Sequence, residues 1–212
     1  KKNIPNIRAG YTARPLEEPG KSALVQQKRF WYGATNTNPM KGAFLWMPLK
    51  LHTRRSIRQF LNRPVGEDLV KELLSAAMSA PTAGGIQPWR FVVITDREKL
   101  DKIPDFHPYA GMIKQAPLAI LVCGDTTSAN YGKYWVQDAP PHGNLLLAAR
   151  AKELASLWCG VHPVPEREQA FRELFNLPDT VSPLGLAILG YSETPFSHKE
   201  RYDEQKVHYN VW

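Results

Sequence analysis

The chain has 212 residues, 43% of them hydrophobic, and a formal charge of +7 from 27 Lys and Arg against 20 Asp and Glu. That length and apolar share suit one enzyme-sized domain with a sizeable core and exclude a chain disordered by composition. The positive charge is scattered, so it favours small anionic partners without singling out nucleic acid, and the only two cysteines, Cys123 and Cys159, argue against a disulfide framework or thiolate metal site and suit a reducing, cytoplasmic compartment.

Residues 1–48 carry Pro5, Pro15, Pro19 and Pro39 among scattered aromatics, with no sustained periodicity. They read as an extended arm lying on a surface, outside a folded region spanning 49–212. Within the arm, Ala43-Phe44-Leu45-Trp46-Met47 is either a segment packed on the core or an anchor for a membrane surface or partner. A twin-arginine export signal at Thr53-Arg54-Arg55 is excluded because no apolar stretch follows, and a start at Lys1 is compatible with prior removal of a leader. Leu69, Val70, Leu73, Leu74, Ala77 and Met78 fall at helical spacing, predicting a helix over 67–80 that Pro81 stops.

Phe91–Thr95, Leu118–Val122 and Leu184–Leu189 read as buried strands. Between the last two, a long helix is predicted from Val136 to Leu157, apolar around much of its circumference and therefore buried centrally or at a subunit interface. A further helix should start at Pro165 and run to Asn176, with Glu166 and Glu168 favourable to its dipole. Helices alternating with strands predict an α+β or mixed α/β architecture. No apolar run approaches the roughly 18 residues of a membrane span.

Two segments carry the chemistry. Arg54-Arg55-Ser56-Ile57-Arg58 puts three guanidinium groups and a hydroxyl within five residues, and bidentate Arg forks match phosphate. Taken alone, it also reads as a solvated basic helix start. Ala80-Pro81-Thr82-Ala83-Gly84-Gly85-Ile86-Gln87-Pro88-Trp89 is a small-residue turn entering a strand, where glycines permit positive φ and close backbone approach to a planar ligand. A later pair, Lys199 and Arg201, follows the Gly190-Tyr191 strand exit.

Together these segments resemble the FMN-dependent nitroreductase family from about Leu49 to Trp212. The resemblance implies a mixed sheet flanked by helices and an intertwined homodimer with two FMN sites between subunits. It implies that Arg54, Arg55 and Ser56 meet the phosphate or ribityl oxygens, and that Arg58 faces the N1/O2 edge of the flavin, where negative charge accumulates on reduction. Lys199 and Arg201 stand where the family places two further phosphate-binding cations. Thr82, Ala83, Gly84 and Gln87 match the loop that packs on the ribityl and ring, although many relatives carry Asn where Gly85 stands.

Leu157-Trp158-Cys159-Gly160-Val161-His162-Pro163 resembles the segment whose backbone N–H meets flavin N5, with Gly160, Val161 and His162 as the candidate donors. His162 is either a hydrogen-bonded loop residue or a general acid, and Cys159 either a packed small side chain or a redox thiol. No side chain is singled out as catalytic, since the flavin carries the hard chemistry. The implied activity is NAD(P)H-driven reduction of a small-molecule acceptor, a nitroaromatic or quinone, in ping-pong order. Tyr109, Met112, Tyr131, Tyr134 and Trp135 make the substrate-covering region aromatic.

Reductive dehalogenation, flavin fragmentation and flavin sensing without turnover are alternative roles on the same cradle, and a nucleic-acid module is a separate one. There is no GxGxxG or GxxxxGK[ST], and His52, His107, His142, His162, His198 and His208 are not spaced as metal ligands.

Overall fold

The computed structural model describes residues 51–127, 136 and 141–212. These form, in chain order, α1 (Glu67–Met78), β1 (Trp89–Ile94), α2 (Arg97–Phe106), β2 (Leu118–Asp125), α3 (Pro141–Ala151), β3 (Ala155–Gly160), α4 (Pro165–Phe175) and β4 (Val181–Gly190). The expected arm over 1–48, and Tyr131, Tyr134 and Trp135 of the aromatic segment, lie outside the described residues.

β2 is buried along almost its whole length because it is an inner strand covered on both faces. Its alternate side chains serve two separate cores. Ala119, Leu121 and Cys123 join Leu100, Ile103 and Phe171 on the face covered by α2 and α4. Leu118, Ile120 and Val122 join Val70, Leu73, Ala77, Leu145 and Ala149 on the face covered by α1 and α3. β4 divides in the same way, with Leu186 and Ile188 on the first face and Ala187 and Leu189 on the second. The result is a sheet between two helical layers, the α+β arrangement expected.

The strand order is β1-β2-β4-β3, with every pairing antiparallel. Among the described residues, the parallel element of a mixed sheet is confined to one bridge, Ser56 to Ser156, on the outer edge of β3. The segment after Thr53 therefore runs alongside β3 and is not a basic helix start.

The predicted helix from Val136 to Leu157 is corrected. Val136 is an exposed turn residue, and α3 ends at Ala151. Lys152 and Glu153 turn the chain, Glu153 in the left-handed region at φ 60°, and Ala155–Gly160 form the edge strand β3. The apolar positions that seemed to encircle one helix belong to two elements. Leu145, Leu146 and Ala149 are buried on α3, whereas Ala155, Leu157 and Cys159 point from β3 into the opposite core. An interface built on that helix loses its premise.

α2 was not predicted, because its apolar content is low and Pro104 lies inside it. Asp96 starts it by accepting bonds from the Glu98 and Lys99 amides at 2.9 and 3.4 Å. The Pro165 start and Asn176 end of the last helix match expectation, Asn176 closing α4 in the left-handed conformation at φ 50°.

Candidate functional site at the β3 edge

The Ile57 amide donates to the Ser156 carbonyl at 3.1 Å, and the Leu61 amide to Tyr191 O at 2.8 Å, which fix the Arg54–Arg58 segment along the sheet edge. Because the segment runs parallel to β3, Arg54 lies toward the start of that strand and Arg58 toward its end. Four residues of extended chain span roughly 13 Å, so the two arginines are separated along the edge. Ile57 is buried in the core between them, which turns its neighbours outward.

At the Arg54 end, cations converge. Burial lowers the pKa of Arg54, and the nearby Arg201 and Arg55 guanidiniums add to the effect. His52 and His198 stand edge to face with ring centres 5.7 Å apart. Arg201 of the C-terminal pair is thus brought to the first Arg cluster. Lys199 and Arg201 are exposed, and one Arg55 guanidinium nitrogen is buried with no hydrogen-bond partner. Thr53, at the head of the segment, is held by Arg150 Nε at 3.1 Å, and the Arg150 guanidinium lies 4.0 Å from the Phe196 ring centre. This buried arginine ties α3 to both cationic segments.

At the Arg58 end is a cavity of about 460 Å³, whose lining includes Arg58, His107, Tyr109, Trp158, Gly160, His162 and Arg167. The strand alternation decides how Gly160 presents its backbone. Ser156 bonds outward to Ile57, so residues two and four further along β3 also direct their N–H and C=O away from β4. The Gly160 carbonyl indeed accepts from His107 Nε2 at 2.9 Å and Arg167 Nη1 at 3.3 Å. A Cβ built on Gly160 would meet no atom within 4 Å, so open space lies before it.

The Val161 and His162 amides both donate to Leu184 O at 3.0 Å. Of the three candidate donors, Gly160 alone keeps an outward-facing N–H. His162 is hydrogen-bonded through Nδ1 to Glu168 at 2.8 Å. Burial pushes the Cys159 thiol up to about 11 against the opposing pull of Arg58 and Arg167, which suits a packed side chain and not a redox thiol. His107 is buried, its Nδ1 has no hydrogen-bond partner, and desolvation lowers its pKa.

The small-residue loop stands elsewhere. Thr82 enters a short turn over Ala83–Gly85 in which Gly84 and Gly85 adopt φ 58° and 69°, the conformations for which glycine was expected. Gln87 is also left-handed, at φ 48°, and its amide donates to Thr82 Oγ1 at 3.4 Å. This loop leads into β1, at the opposite edge of the sheet from β3. Trp89 and Gly160 lie at the same end of the sheet with β2 and β4 between them, roughly 14 Å apart across the strands. Thr82, Ala83, Gly84 and Gln87 therefore do not line the Arg58 cavity of their own chain.

The "Nitroreductase family" description matches residues 51–107. A "Putative NADH dehydrogenase/NAD(P)H nitroreductase" from Methanothermobacter thermautotrophicus is 40% identical over 163 residues, covering 76% of this chain and 85% of the relative. The chain belongs to the nitroreductase family. Among solved nitroreductase structures, one of the same name from Bacteroides thetaiotaomicron is 37% identical, covering 78% of this chain and 98% of its own, with a TM-score of 0.74. A Clostridium difficile structure named an FMN-dependent nitroreductase is 28% identical, covering 77% and 98%, with a TM-score of 0.71.

Arg167 and His107 were not anticipated as parts of this cavity. Arg167 sits in the first turn of an acidic helix start, with no local pattern to set it apart. His107 is marked only by following α2 and preceding Pro108-Tyr109, a weak signal. Among the described residues, no three His, Cys, Asp or Glu side chains are grouped as metal ligands, and no helix is long and apolar enough to cross a membrane.

Proposed function

We propose that this chain is an FMN-dependent oxidoreductase that uses NAD(P)H to reduce a nitroaromatic, quinone or related acceptor. The observation that carries the reading is the arrangement along the β3 edge. A cationic cluster at Arg54 and Arg201 is followed by a cavity holding Arg58 and the outward Gly160 amide. A phosphorylated, elongated, planar cofactor fits that sequence of groups. Mutually repelling guanidiniums suit a phosphate dianion, and the open space before Gly160 admits a flat ring.

When bound, FMN supplies the redox chemistry by taking up a hydride and giving it back. Arg54, Arg55, Ser56, Lys199 and Arg201 would hold the phosphate and ribityl chain. Arg58 would place a fixed positive charge beside the ring, and the Gly160 N–H would donate to it. His107, fixed on the Gly160 carbonyl at 2.9 Å, keeps that end of β3 in place. NAD(P)H and acceptor would occupy the cavity in turn, giving ping-pong kinetics.

The position of Thr82–Gln87 at the far sheet edge supports an intertwined homodimer, in which the loop of one subunit completes the site of the other. Heat release of the cofactor, followed by anaerobic titration with NADH and NADPH, tests the reading. FMN in solution, with bleaching of the bound flavin by at least one nicotinamide, is expected; FAD or no flavin would refute it.

A further inference from the structure

The lining of the 460 Å³ cavity contains two guanidinium groups, Arg58 and Arg167, and no carboxylate. Of the two acids flanking Arg167 in sequence, Glu168 is taken by His162 and Glu166 is exposed outside the lining. Among the described residues, neither arginine has an ion-pair partner. Both press on the same point, since each opposes the burial-driven rise of the Cys159 thiol. In a partly desolvated cavity, two such charges attract an oxyanion far more strongly than they would at a solvated surface.

The two arginines are not equivalent. Arg58 belongs to the segment assigned to the cofactor, whereas Arg167 enters from α4 on the other wall. Its guanidinium lies 5.4 Å from the centre of the Tyr109 ring, and Nη1 makes a long, 3.3 Å bond to Gly160 O. The remaining N–H groups have no described partner. Tyr109 is 69% exposed, so the pair forms a flat aromatic and cationic rim open to a ligand.

We propose that Arg167, braced by Tyr109, anchors an anionic oxygen group on a substrate that enters the cavity, so that the site favours molecules bearing an added carboxylate or phosphate over otherwise matched ones without it. The proposal rests on the cavity being the site of FMN-dependent turnover. The group has two sources, a carboxylate on the aromatic acceptor or a phosphate on the nicotinamide donor.

The test uses the FMN holoenzyme and two ratios of kcat/KM, 4-nitrobenzoate over 4-nitrobenzamide and NADPH over NADH. At low salt, at least one ratio should favour the more anionic partner by about 10-fold. Arg167→Gln, which keeps a donor for Gly160 but no charge, should abolish that preference, and Arg167→Lys should retain part of it. A shift in the first ratio identifies the acceptor's carboxylate, and a shift in the second the donor's phosphate. If Arg167 only braces Gly160, both ratios stay at their wild-type values in Arg167→Gln, and the proposal is overturned. Independently of any variant, a wild-type enzyme with neither preference, or with one that salt does not erode, overturns it as well. A protein that takes up no FMN would instead defeat the underlying functional reading.

Discussion

Replacing Arg201 by Ala separates a phosphate-binding cluster from a set of surface charges, because only the first predicts effects of opposite sign on the unliganded and the liganded protein. Arg201 lies close enough to Arg54 to disfavour its charge, and Arg55 adds to the repulsion. Without a dianion, this crowding is a cost to folding; with one, each guanidinium gains charge-assisted bonds. Such a bond contributes about 1.5–3 kcal/mol, and at about 1.4 kcal/mol per decade its loss weakens FMN binding between about 10-fold and about 100-fold. The exposure of Arg201 favours the lower end of that range. The apoprotein should unfold at the same or a higher urea midpoint than wild type, since one repelling charge is gone. Fluorescence titration of apoprotein with FMN, beside urea denaturation with and without the cofactor, measures both. An FMN dissociation constant within twofold of wild type would refute the reasoning, because it would mean that the repelling cluster is not built around a phosphate.

Arg58→Ala should lower the reduction potential of the bound flavin and slow its reduction by NAD(P)H, with Arg58→Lys milder; unchanged potentials in potentiometric titration would contradict the placement of that charge beside the ring. His107 has a pKa below its ordinary 6.5 because its site is desolvated, so the unfolded chain takes up a proton that the native one refuses. Stability should therefore be full above about pH 6.5 and decline as the pH falls from there toward the lower folded-state value, and His107→Phe should flatten that part of the urea-midpoint profile. Gly185→Ala would drive a methyl into the Trp158 indole and to 2.9 Å from Cys159 O, so a loss of about 1–3 kcal/mol is expected in chemical denaturation. The protein should sediment as a dimer at micromolar concentration when FMN is bound; a monomer that retains the cofactor tightly would exclude a site shared between subunits.

Local chemistry was legible in the sequence where a short pattern had one physical use. The helical spacing of Leu69 to Ala77, the Pro165 helix start and the glycines at 84 and 85 all appear as read. What failed was the division between periodicities. Ala, Leu and Trp through residues 145–158 satisfy a helix and a two-sided buried strand equally well, and the boundary depends on a Lys152-Glu153 turn that lacks the usual Gly or Pro. α2 was missed for the converse reason, since its stability comes from an Asp96 cap and two buried side chains, Leu100 and Ile103. Of the cavity lining, Arg58, Gly160 and His162 come from contiguous motifs, whereas Arg167 and His107 reach it from helix ends whose position only the tertiary fold determines.

The placement of the motifs sets apart two groups of residues that the resemblance assigns to one cofactor. The Arg54–Arg58 strip and Gly160 belong to the β3 edge, and Thr82–Gln87 to the β1 edge, at the same end of one sheet. Two intervening strands are packed on both faces, so no adjustment of the monomer can close that separation without dismantling β2 and β4. A second copy could meet it by laying its β1-side loop against the first chain's β3 edge, and symmetry would then complete two sites at once. On that geometry, cofactor binding and association stabilise each other. FMN would then contact both subunits, so adding it should tighten the dimer by the same factor by which dimerisation tightens FMN binding.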